Sequence, residues 1–184
     1  MVYKNIEAEV VAGIKRKEPS WVRDDPSRTY FLEEWQNVPR TQQAMFEHLC
    51  LLVFQNGLWW SVVLGKREAI SRHFKGFSLE AVASLTEHDI SQMLSDTSMI
   101  RNEAKIRSCI TNAQTLLHHN INLPDLFEQA FDSPAIFDSV SELPRTLETT
   151  DRIADDLKDA GVQRVGQVVC CALAQATGFI RLGA

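Results

Sequence analysis

The sequence predicts an all-helical domain, and three observations carry that prediction. Apolar residues recur at three- and four-residue spacings along nearly the whole chain. No alternating apolar–polar run of useful length appears, so strands lack their usual pattern. Gly is scarce, at 8 of 184 residues, and Gly57, Gly76 and Gly161 stand where periodic runs stop.

The elements follow in order. Residues 1–18 read as an amphipathic helix added to a domain of residues 19–184, available to pack on that domain or on a protein partner. Lys4, Glu7, Glu9, Lys15 and Lys17 interrupt its apolar positions, unlike a secretory signal. Thr41 caps a helix over 44–54, and a second over 61–74 is closed by Gly76. Ser78 and Thr86 cap short helices at 79–85 and 90–94. A longer helix over about 102–118 carries Ala104, Ile106, Ile110, Ala113 and Leu117 as its apolar stripe. Pro124 permits only a new start, so a short helix over 125–131 comes next. Residues 132–148, with Pro134, Pro144 and several Ser and Thr, read as a surface connection with room for a short helical turn, and as the place for a hinge or insertion. A capped helix from Thr150 to Ala160, a segment bounded by Gly161 and Gly166, and an apolar helix over 167–177 complete the chain.

Composition limits what such a domain does. With 45% hydrophobic and 23% charged residues the chain has the make-up of one globular domain. No stretch approaches a membrane span, and the expected location is the cytoplasm. Cys50, Cys109, Cys170 and Cys171 lack the spacing of a zinc site and read as buried thiols. A formal net charge of −5 weighs against nucleic acid as a partner, unless a local face departs from the average.

Two constellations carry candidate chemistry. Gly161, Val162, Gln163, Arg164, Val165 and Gly166 make a tight reversal between two helices. The unpaired amides and dipole at the start of the second helix attract an anion such as a DNA phosphate, with Arg164 adding charge. The alternative is an ordinary helix pair with a glycine-bounded loop. Trp21, Tyr30, Trp35, Trp59 and Trp60 place all four tryptophans and one of two tyrosines within forty residues. Aromatic faces of this kind stack on a base drawn out of a duplex, and they also anchor the cores of small helical domains.

In combination these motifs resemble the DNA-3-methyladenine glycosylase I family. Ser20-Trp21-Val22, Asp25-Pro26, Tyr30, Glu34-Trp35 and Val38-Pro39 follow the family's opening. Phe46-Glu47, Cys50-Leu51, Gln55, Gly57-Leu58, Trp60 and Lys66-Arg67-Glu68 keep its order and spacing. Ile100-Arg101, Lys105-Ile106, Asn112-Ala113, the Gly161 to Gly166 segment and Gln175-Ala176 continue it, so the resemblance covers about residues 19–180. It implies a helix-hairpin-helix DNA glycosylase fold, double-stranded DNA with an alkylated base as partner, and excision of N3-alkylated adenine in base-excision repair. It further implies base-binding roles for Tyr30, Trp35 and Trp60, a wedge at Leu58, and DNA contacts from Gly161, Val162, Arg164 and Gly166.

The departures from the family are as specific as the matches. Leu52 stands where the resemblance places a base-contacting glutamate, and a leucine neither accepts a hydrogen bond nor stabilises positive charge. The resemblance also implies a zinc ion, yet two of its ligand positions fall on Pro19 and Phe31, and the sequence reaches Ala184 before the C-terminal His and Cys. The expectation is therefore no cofactor, with Phe31 and part of the N-terminal helix filling the metal's corner. No catalytic residue is assigned; Glu34, or Glu33, is a weak substitute for the missing carboxylate. The five histidines match no family site. The competing class is a non-catalytic DNA-binding or protein-interaction module on the same scaffold.

Overall fold

The computed structural model describes residues 18–183, so the helix expected over residues 1–18 lies, apart from Glu18, outside the described residues. Among those described, nine α-helices and two three-residue strands are found, and the fold is all-α as expected. Helix α1 (Asp25–Glu33) starts where Asp24 accepts the Ser27 N–H at 3.0 Å while Ser27 Oγ takes the Asp24 N–H at 3.1 Å, a reciprocal cap that satisfies two free amides. Helices α2 (Gln42–Gln55), α3 (Trp60–His73), α4 (Leu79–Ala83) and α5 (Glu87–Ser95) follow, with Thr41, Ser78 and Thr86 capping α2, α4 and α5. Helices α6 (Glu103–His118) and α7 (Leu123–Ala130) are capped by Asn102 and Asn122.

Helices α8 (Glu148–Ala160) and α9 (Gln167–Ala176) form the C-terminal pair. Thr150, expected to open α8, instead sits in its first turn at 0% exposure, where Oγ1 accepts the Leu147 N–H at 3.2 Å. The connection over 132–148 carries the expected short helical turn, at Val140–Glu142, and also a strand that was not expected. It holds β1 (Ala135–Phe137), which pairs in parallel with β2 (Ile180–Leu182), Ala135 opposite Ile180. Three residues are too few for an alternating pattern, and their partner lies far along the chain. Gly178 makes the link possible: its φ is +72°, and a Cβ there would meet Gln36 O at 2.7 Å.

Helix α2 is the centre of the molecule. Met45, Phe46, Leu49, Cys50, Leu51, Val53 and Phe54 are all 0% exposed, and α3, α6, α7 and α9 pack around them. A helix apolar on every side is one the fold must enclose. Its C-terminal carbonyls are met by Lys105 of α6, whose buried Nζ donates to Phe54 O at 2.7 Å and Asn56 O at 2.5 Å. An ammonium there satisfies orphaned acceptors and opposes the negative end of the helix dipole. All four cysteines are buried and free. No described helix is long and apolar enough to cross a membrane.

The reversal between α8 and α9 is built by glycine geometry and one buried amide. Gly161 adopts φ +101°, and Val162 N–H returns to Leu157 O at 2.9 Å. Asn112 of α6, 0% exposed, then clasps the turn: its Oδ1 accepts Gln163 N–H at 2.7 Å and its Nδ2 donates to Gln163 O at 3.0 Å. Replacing Asn112 by Ala leaves both backbone groups without a partner, and urea unfolding should show a loss of about 2–4 kcal/mol. An unchanged midpoint would mean that water fills the gap at no cost.

Candidate functional site

The aromatic residues and α2 enclose a cavity of about 300 Å³. Trp21, Tyr30 and Trp35 form one side of it, Trp60 another, and His48, Leu52 and Gln55 line it from α2. Those three lie at i, i+4 and i+7, one face of a helix. Leu143, Pro144 and Arg145, from the connection read as a hinge, close the far wall together with α9 residues Ala172 and Gln175. Gln175 Nε2 donates to Pro144 O at 2.8 Å and ties that wall in place. The volume lies at the lower end of the range for small-ligand sites and suits one heterocyclic base.

The walls hold each other in edge-to-face contact. Tyr30 meets Trp60 at 5.1 Å between ring centroids and Trp21 at 5.8 Å, while its ring stacks on His48 at 6.1 Å and 25°. Burial, followed by the nearby Glu34 charge, pushes the Tyr30 phenol far above its usual range, so it stays a hydrogen-bond donor. Trp60 is 7% exposed, and its buried Nε1–H has no acceptor among the described residues. A ligand acceptor that met this donor would remove a cost of about 1–3 kcal/mol.

Glu34 does not enter the cavity as the substitute carboxylate. It ends α1 and is gripped by Arg67, with Nη1 to Oε2 at 2.7 Å and Nη2 to Oε1 at 2.9 Å, while Arg67 Nε donates to Glu47 at 2.8 Å. His48 Nε2 lies 3.1 Å from Glu34 Oε1, off the hydrogen-bonding direction. The other ring nitrogen, Nδ1, donates to Ala44 O at 3.1 Å. Burial opposes ionisation of Glu34; the His48 ring and the Arg67 guanidinium overcome it and hold the carboxyl down at about 2. Glu33 is exposed and does not line the cavity. The residue that sequence reading left without a role is His48, 2% exposed and part of the wall. Its one available signal was its position four residues before Leu52.

The remaining expected residues lie outside the cavity lining. Gly57, at φ +82°, turns the chain so that Leu58 projects at 36% exposure, with Leu58 N–H bonded to Gln55 O at 2.7 Å. Trp59 departs from its expected place in the cluster: it is 56% exposed and does not line the cavity. Val162 is 5% exposed, with its side chain in the core and its backbone at the turn. Arg164, at φ +58°, donates from Nε to Ser108 Oγ at 3.1 Å, and Gly166 precedes the exposed first turn of α9.

The donor set for a metal does not fit. Pro19 is buried, and Phe31, 8% exposed, packs at 5.9 Å on Trp21 and 5.2 Å on Trp35. Neither side chain ligates a cation, and no cluster of three or more His, Cys, Asp or Glu suited to one occurs among the described residues.

Comparison with known proteins places this geometry in context. A family model described as methyladenine glycosylase matches residues 21–182. The chain is 32% identical over 168 residues to DNA-3-methyladenine glycosylase 1 of Escherichia coli (strain K12), covering 87% of this chain and 89% of that protein. It is 29% identical over 157 residues to DNA-3-methyladenine glycosylase of Haemophilus influenzae, covering 82% of this chain and 85% of that one. The crystal structure of a 3-methyladenine DNA glycosylase I superposes with a TM-score of 0.81 at 30% identity, over 89% of this chain and 94% of the other.

The Glu34 network sets a pH dependence. A carboxyl depressed in the folded state contributes stability that is present above its unfolded value of about 4.5 and is lost as pH falls toward about 2. Thermal or urea unfolding between pH 6 and 3 should show a decline of about 2 kcal/mol from this group, flattened in Glu34→Gln. Equal slopes in the two proteins would remove Glu34 as the cause.

Proposed function

We propose, from the premise that this chain belongs to the methyladenine glycosylase family, that it draws an alkylated base out of double-stranded DNA into the Tyr30–Trp60 cavity. There it releases the base by hydrolysing the N-glycosidic bond. The observation that carries this reading is the placement of an aromatic cavity of about 300 Å³ beside an exposed wedge, with Leu58 two residues from Trp60. Tyr30, Trp35 and Trp60 surround the base, Leu58 enters the space it leaves, and the first turn of α9 after Gly166 meets a phosphate.

N3-alkylated adenine carries formal positive charge, so its bond to C1′ is already weak. When it leaves, the base takes the bonding electron pair and becomes neutral, while water adds to C1′ and gives its proton to solvent. The chain's own part is extrusion, orientation and exclusion of bulk water. Among the described residues no Asp or Glu lines the cavity, and Glu34 is committed to Arg67, so no general base is assigned. The reading includes no metal, in keeping with Pro19 and Phe31, and a cytoplasmic location.

A second reading, binding without catalysis, is favoured by Leu52 in the cavity wall and by the exposed Asp155, Asp156 and Asp159 on the helix leading into the reversal. Release of free base from N-methylated DNA separates the two. The first reading expects release of 3-methyladenine by the wild type, reduced about 10-fold or more by Trp60→Ala. Absence of release by the wild type, with gain in Leu52→Glu, would establish the second. Metal analysis of the purified protein is expected to find less than stoichiometric zinc, and an equimolar zinc content would overturn the metal-free assignment.

A further inference from the structure

Trp59 is the one tryptophan of the four that does not line the cavity. It stands between Leu58 and Trp60, yet its ring is 56% exposed where Trp60 is 7% exposed. As the residue just before α3, with φ −71° and ψ 144°, it is extended and lies outside the helical register that buries Trp60. One face of its indole carries the guanidinium of Arg23, with Cζ 3.7 Å from the ring centroid. Arg23 is anchored in turn, its Nε donating to Ser20 O at 3.0 Å, and Ser20 lines the cavity. Leu58 at 36% and Val62 at 41% exposure extend the apolar rim.

We propose that Trp59, backed by Arg23, is a stacking platform for the unpaired base that extrusion leaves in the opposite DNA strand; the proposal rests on the base-extrusion reading of the cavity. Extrusion breaks one base pair and leaves two needs. The vacated space must be filled, which Leu58 does, and the orphaned partner must be given a surface to lie on. An aliphatic side chain offers no π-face, whereas the adjacent indole does, and every base can stack on it. The guanidinium on the indole holds the ring in one orientation before DNA arrives, so less freedom is lost on binding. It also brings a positive charge to the rim of a protein whose formal net charge is −5. Affinity in such a protein leans on stacking more than on phosphate neutralisation.

The experiment uses two duplexes carrying a tetrahydrofuran abasic analogue, one with 2-aminopurine opposite it and one with a second abasic analogue there. No extrusion or bond cleavage is needed. Wild-type protein is expected to bind the first more tightly and to quench the 2-aminopurine fluorescence. Trp59→Ala should weaken that binding about 10-fold and abolish the quenching, leave affinity for the second duplex unchanged, and be largely rescued by Trp59→Phe. Binding by the wild type with quenching retained in Trp59→Ala would overturn the platform and leave the cavity reading standing. Failure of the wild type to bind either duplex, even at low salt, would overturn both.

Discussion

Enclosure of α2 on every side is the constraint on which the rest of the molecule depends. A helix whose apolar residues surround its axis is stable only where neighbours cover it, so α3, α6, α7 and α9 are drawn around it. Once it is enclosed, its rotation is settled, and one of its stripes becomes a cavity wall through His48, Leu52 and Gln55. Its end is settled as well. Lys105 holds the last carbonyls, and the chain leaves through Gly57 with Leu58 and Trp59 at the tip. The exposed Leu58 and the cavity are thus two consequences of one buried helix.

A second layer of order lies in the polar groups beneath the aromatic walls. Arg67 spans Glu34 and Glu47, so two carboxylates from α1 and α2 are tied to one cation from α3. Charges that are only partly exposed must be paired to be tolerated, and this triangle fixes the angle between the three helices. The same pairing removes Glu34 from acid–base work, because a carboxylate accepting two charge-assisted hydrogen bonds binds protons poorly. Structure and chemistry compete here for one side chain, and structure holds it. The cavity is consequently aromatic and aliphatic, with donors such as the Tyr30 hydroxyl and no carboxylate among its lining.

The charge around the C-terminal helix pair is mixed. Exposed aspartates on α8 set a negative field near the reversal, and the free amides at the start of α9 and the Arg164 guanidinium oppose it locally. Local geometry decides such a balance, because amide dipoles act at contact range and net charge acts through a screened field. Leu58, Trp59 and Val62 form an exposed apolar surface, of a kind whose contacts salt does not screen.

Much of this was legible along the chain. Helical periodicity announced the all-α class, the Thr41, Ser78 and Thr86 caps marked real helix starts, and the glycines at 57 and 161 marked turns that need positive φ. These are local properties, carried by side chains within a turn of one another. The order of Tyr30, Trp35, Leu58 and Trp60 likewise revealed the family, because collinear spacing survives in sequence. What the sequence left open depended on distant partners. The strand at 135–137 exists only because 180–182 lies beside it, and the supposed hinge became a cavity wall for the same reason. Trp59 and Trp60 are the same residue type side by side, yet α3 begins between them and sends one inward and the other out. Glu34 looked free until Arg67, thirty-three positions later, closed on it. Sequence by itself determined most of the helices, though not α1 at Asp25–Glu33, and which family they compose; the tertiary structure alone decided which faces meet, because the partner in a contact or an ion pair is a neighbour in space that chain order does not name.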